Sequence, residues 1–237
     1  MRMAFMIFRL AGAALIIAAV VGQLLLSLRV WAEAGIQDPT VQLVSFFSFF
    51  TIDSNVLGAA AFLIGAVCAI RGRTEDCRWY AVLRVCATAY MVTTGVVYNV
   101  LLRGIELPQG STLPWANEVL HVVGPLLVLV DWLFAPGRLR LEWRALWAVV
   151  AFPIVWGVYT MVRGPLVHDA MTGNDYWYPY PFLNPNIAPE GYLSVAFYIV
   201  VIAIVIGSAG AGAIWVSRRF PQRRAEEPAR VTADSGT

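Results

Sequence analysis

The chain is expected to be an all-α, polytopic membrane bundle of six transmembrane helices with both termini in the cytoplasm. Three observations predict this. Hydrophobic residues make up 59% of its 237 residues and charged residues only 14%, where a soluble domain of ordinary composition carries about 25% charged residues. Six apolar runs are each long enough to cross a hydrocarbon core, which takes about 20 residues. The basic residues, all Arg and no Lys, are also unevenly divided: with six spans, Arg29, Arg103 and Arg163 fall at one face and the other fourteen at the opposite face. The positive-inside rule places the richer face in the cytoplasm.

The spans run approximately over residues 5–28, 43–69, 80–102, 115–134, 145–162 and 192–216. Arg2 and Arg9 precede the first apolar run, and Ala32-Glu33-Ala34 beyond it looks like a signal cleavage site. The run is longer than the ~7–15-residue core of a signal peptide, so a retained first helix is expected. The connections are short except between the fifth and sixth spans. Residues 1–216 are read as one transmembrane domain. Residues 217–237, rich in Arg, Glu, Pro and Ala, are read as a disordered cytoplasmic tail. The net charge of +2 follows from this topology, and no nucleic-acid partner is expected. Cys68, Cys77 and Cys86 lie at the reducing face and match no metal-ligand spacing; no metal and no cofactor are expected.

Polar residues inside a bilayer are costly and face the bundle interior or a wet cavity. On the second span Ser48, Thr51, Asn55 and Gly58 are spaced three, four and three, which puts them on one helical stripe with Ser54 beside it and Asp53 off it. On the third span Tyr90, Thr94 and Tyr98 form a second stripe, with Asn99 at the outer end. On the fourth, Asn117, His121, Gly124, Val128 and Asp131 form another, with Glu118 one turn above His121. At 1.5 Å per residue, Thr51 and His121 lie ~12 Å and ~9 Å below the outer face, a shared level. Each stripe also fits helix packing, in which small and polar residues serve as glue, and a membrane Thr commonly bonds its own backbone carbonyl. His121 is either a hydrogen-bonded core residue or a base that can activate a hydroxyl. Pro125 has no N–H for the His121 carbonyl and is expected to kink the helix there. Asp131 is expected to be structural, paired with Arg9, Arg84 or an interfacial Trp.

The outer loop from Arg163 to Gly191 contains NDYWYPYPFLNPNIAP. Its length points to function and its aromatic residues suit the membrane interface. Tyr178, Tyr180 and Phe182 are therefore candidates for a lid over the polar cluster, or alternatively for an aromatic anchor on the headgroups.

FFTIDSN at 49–55, HVVGPLLVLVDW at 121–132 and YPYPFLNP at 178–185, in that order and spacing, resemble the six-helix membrane family of the androgen-induced gene protein and the androgen-dependent tissue-factor-pathway-inhibitor regulator, in its bacterial branch. The resemblance extends over essentially all six spans. It implies an intramembrane threonine hydrolase acting on lipid esters, the animal members being similar to hydrolases of fatty acid esters of hydroxy fatty acids. Thr51 matches the family's nucleophile and His121 its partner. Ser54 or Asn55 is added here as an oxyanion donor, with Asn99 and Glu118 as further polar candidates. The Phe-rich wall of Phe46, Phe47, Phe49 and Phe50 would suit an acyl chain. The Ser54-Asn55 pair and the position of the Pro after His121 depart from the animal pattern. The implied partners are a lipid ester drawn from the bilayer and the membrane lipids, and the implied location is a bacterial plasma membrane. The alternative class is a non-catalytic protein that binds or transports lipid or a small molecule.

Overall fold

A computed structural model describes residues 2–105 and 112–220. Its described residues are helical, with no strand beyond an isolated bridge between Asp169 and Asn174. The order is α1 (Arg2–Glu33), α2 (Thr40–Phe46), α3 (Phe50–Ile70), α4 (Arg78–Val97), α5 (Pro114–Glu118), α6 (Gly124–Phe134), α7 (Ala145–Arg163) and α8 (Tyr192–Arg219). Helix α4 continues into a π-helical turn at Tyr98–Leu102, and a second π turn at Val119–Val123 joins α5 to α6. Among the described residues six continuous helical stretches are long and apolar enough to cross a membrane, so the chain is a multi-pass membrane protein.

Helix α4 is the centre of the bundle. It packs against α3, α6, α7 and α8, while α1 lies along α3 and touches α5 and α6. Small residues permit the close contacts. A Cβ on Gly12 of α1 would sit 2.6 Å from the Phe62 ring of α3, and one on Gly210 of α8 would sit 2.8 Å from Val149 of α7. Lipid gives no hydrophobic drive between helices, so such packing and interhelical polar contacts hold the bundle together.

Two expectations are corrected. The second span does not run unbroken from residue 43: α2 ends at Phe46, and α3 starts at Phe50 after an extended Phe49. Ser48 therefore leaves the Thr51 stripe. Its hydroxyl donates to the Val44 carbonyl at 2.6 Å and lies 2.9 Å from the Tyr159 hydroxyl. The break exposes backbone groups, each of which would cost several kcal/mol if unpaired in lipid. The Trp156 indole N–H donates to the Ser48 carbonyl at 3.0 Å, and the Thr51 N–H donates to the Tyr180 hydroxyl at 3.1 Å. Phe49 gains edge-on contacts to Trp177 and Tyr180, with centroids at 5.5 and 5.6 Å. The second correction concerns the tail. Ser217, Arg218 and Arg219 belong to α8, and Ser217 and Arg218 bond the backbone of Leu141. The remainder of the expected tail, residues 221–237, lies outside the described residues.

The basic-rich end of the bundle is tied by a buried ionic network. Asp131 of α6 accepts from Arg9 of α1 at 2.7 Å and from Arg84 of α4 at 2.9 Å, and Arg84 also pairs with Asp76. The Asp131 pairing expected with Arg9 or Arg84 is thus met by both.

Candidate functional site

Thr51 is the second residue of α3, so its side chain sits at the positive end of the helix dipole. It does not turn back on its own backbone. Its Oγ1 lies 3.2 Å from His121 Nε2 and 3.2 Å from the Tyr180 hydroxyl. Thr51 and His121 are only 8% and 6% exposed, so the pair is shielded from solvent.

His121 is held by its other ring nitrogen. Nδ1 lies 2.9 Å from the backbone carbonyl of Asn117. A carbonyl only accepts, so in the neutral ring Nδ1 carries the proton and Nε2 is left as the acceptor facing Thr51. The Tyr98 ring stacks on the imidazole at 3.9 Å and 21°, and the Asn117 amide donates to the Tyr98 hydroxyl. The ring is therefore fixed in both tilt and tautomer.

The helices around it are reshaped to allow this. Pro125 cannot donate to the His121 carbonyl, and the backbone widens into the π turn at Val119–Val123. Asn99 approaches the freed His121 carbonyl at 3.4 Å while also donating to the Gly95 carbonyl at 2.8 Å. Gly95 and Gly124 let α4 and α6 close in. A Cβ on Gly95 would lie 3.2 Å from the Pro125 side chain, and one on Gly124 would lie 3.0 Å from Met91 and 3.2 Å from Asn55 Oδ1. Gly124→Val is accordingly expected to destabilise the protein by about 1–3 kcal/mol through overpacking, read as a lowered Tm in detergent. An unchanged Tm would mean that the contact yields freely.

The other candidates separate by position. Ser54 and Asn55 stay beside Thr51 but are turned to structural partners. The Ser54 hydroxyl donates to the Thr51 carbonyl at 3.0 Å and lies 2.8 Å from Thr94 Oγ1. The Asn55 amide donates to the carbonyls of Thr51 and Leu120 at 2.9 and 3.0 Å. These bonds tie α3 to α4 and to the His121 turn and leave neither group aimed at Thr51 Oγ1, which corrects their assignment as oxyanion donors. Glu118 does not orient His121: it pairs with Arg103 at 3.1 Å on the partly exposed rim. Asn99 acts on the His121 backbone, not on Thr51. Asp53 lies off the Thr51–Asn55 face in the first turn of α3, where a carboxylate suits the helix dipole.

The loop aromatics fold inward. Trp177, Tyr178 and Tyr180 are buried. Tyr180 reaches Thr51, and Phe182 stacks on Tyr180 at 5.2 Å and 9°. Tyr178 instead packs against Gly164, at the end of α7. A cleft between α2 and this loop is lined by Trp31, Phe46, Phe49, Met171 and Trp177. The expected Phe wall divides accordingly. Phe46 and Phe49 face the cleft, Phe47 is 48% exposed, and Phe50 packs on Tyr90 and Trp156.

Sequence reasoning named Tyr180 as a lid or an aromatic anchor and did not foresee its direct contact with Thr51. It also missed the Asn117 carbonyl as the partner of His121. The signal available for the second was the i, i+4 spacing of Asn117 and His121. Comparison with protein-family models, curated proteins and solved structures returned no significant match; the site is read from its own geometry.

Proposed function

We propose that the protein is an intramembrane hydrolase of fatty-acyl esters, with Thr51 as nucleophile and His121 as general base, in a bacterial plasma membrane with both termini cytoplasmic. The observation that carries the proposal is the Thr51 Oγ1–His121 Nε2 contact of 3.2 Å, with Nδ1 committed to the Asn117 carbonyl. That tautomer can accept a proton only from the Thr51 side.

Thr51 Oγ1 attacks the ester carbonyl carbon, and its proton passes to His121 Nε2. The carbonyl π electrons move to oxygen. When the tetrahedral intermediate collapses, the bond to the leaving oxygen breaks and His121 returns its proton to that oxygen, releasing the alcohol. Water then attacks the acyl-Thr51 ester with His121 again as base, releasing the carboxylic acid and restoring Thr51. The positive end of α3 favours the negative charge formed beside Thr51. The burial of Thr51 and His121 among apolar helices suits an apolar ester arriving from lipid. The site is closed over Thr51 by Tyr180 and its loop, so ester entry requires this loop to shift.

The test is labelling of the purified, detergent-solubilised protein with a long-chain alkyl fluorophosphonate. Labelling is expected in the native protein and lost in both Thr51→Ala and His121→Ala. Unchanged labelling of Thr51→Ala would overturn the mechanism and leave a lipid-binding role.

A further inference from the structure

Resting on the hydrolase reading, we infer that the Tyr180 hydroxyl is a catalytic group, the oxyanion donor of the site together with the Thr51 backbone N–H.

The hydrogen bonds around Thr51 run in one direction. His121 Nε2 accepts the Thr51 hydroxyl hydrogen. The Tyr180 oxygen accepts the Thr51 N–H at 3.1 Å. The hydrogen left on Tyr180 is therefore directed at Thr51 Oγ1, 3.2 Å away. In the closed site the Tyr180 oxygen itself caps the Thr51 N–H; the loop shift that admits the ester draws it back, and the carbonyl oxygen, two bonds from Oγ1, then sits between the Thr51 N–H and the Tyr180 O–H. As the π electrons move onto that oxygen, both donors can transfer their hydrogen bonds to it without breaking any covalent bond. The Ser54 hydroxyl and the Asn55 amide are not so placed, because they are held by α3, α4 and the Leu120 carbonyl.

In the closed site the Tyr180 ring is supported by its aromatic neighbours. It is stacked on Phe182 and packed edge-on against Phe49. Burial pushes its phenol up to about 12, so it remains protonated, and a donor, throughout the neutral range. A residue acting only as a cover would need the ring but not the hydroxyl.

Tyr180→Phe separates these roles. With a long-chain p-nitrophenyl ester, kcat is expected to fall ~10²–10³-fold, the usual loss for one oxyanion donor, with KM within a few-fold of native. A kcat within threefold of native would overturn the inference. If Tyr180→Phe does not fold, 3,5-difluorotyrosine at position 180 keeps both ring and hydroxyl but ionises at lower pH. Its kcat–pH profile is expected to show an alkaline fall at lower pH than the native profile, and an unshifted profile would overturn the assignment. Failure of the parent reading is seen separately, as retained fluorophosphonate labelling in Thr51→Ala.

Discussion

Thr51→Ala is expected to lower kcat for a long-chain p-nitrophenyl ester by ~10⁴-fold or more, the scale seen when a nucleophile that works as a unit with its base is removed. The structural cost should be small. The Thr51 N–H keeps its bond to Tyr180, and only the hydroxyl contacts to His121 and Tyr180 are lost, about 1 kcal/mol each. Thr51→Ser keeps an oxygen at the same place on the first turn of α3 and is expected to retain measurable hydrolysis. Steady-state kinetics on detergent-purified variants of matched Tm checks both. If Thr51→Ala keeps more than a tenth of native kcat, the nucleophile lies elsewhere.

The second large effect is on stability. Asp131→Asn is expected to destabilise the fold by about 3–5 kcal/mol, because it leaves two buried guanidinium groups without their shared carboxylate. Arg9 and Arg84 lie on α1 and α4, and both reach Asp131 on α6. Arg84 retains its ion pair with Asp76, whereas Arg9 retains the hydrogen bond to the Gly65 carbonyl at 3.3 Å. Arg9→Met should therefore cost less than Asp131→Asn, since Asp131 would still be paired with Arg84. Thermal unfolding in detergent reads the order directly, and equal Tm values for native and Asp131→Asn would show that the network contributes nothing. The network is at the opposite end of α6 from His121, so kcat per folded molecule should not change.

These two sites were legible in the sequence to different degrees. Six spans follow from run length and hydropathy, which fix how much chain can sit in lipid. Asp131 and its Arg partners were visible because a buried charge in a membrane helix requires an opposite charge. The stripes placed Thr51 and His121 at one level, and Pro125 marked the irregular turn. The break before Phe50 was not legible. Periodicity carries Ser48 and Thr51 smoothly on one face, and the break is stabilised by Trp156 and Tyr180, more than a hundred residues away in the chain. The orientation of Ser54 and Asn55 was hidden for a related reason. Helical spacing shows which face a side chain occupies, but their donors are committed to carbonyls and a hydroxyl that only the folded bundle brings near. Tyr180 was noticed for its aromatic loop, yet its contact with Thr51 depends on how that loop folds back between α7 and α8.

The most direct measurement is to locate the covalent adduct. The native protein is treated with a long-chain alkyl fluorophosphonate, digested, and the modified peptide is sequenced by tandem mass spectrometry. The adduct is predicted on Thr51 and on no other residue, and it should be absent from His121→Ala. An adduct on a different residue, or none in a preparation that hydrolyses the p-nitrophenyl ester, would contradict Thr51 as the nucleophile.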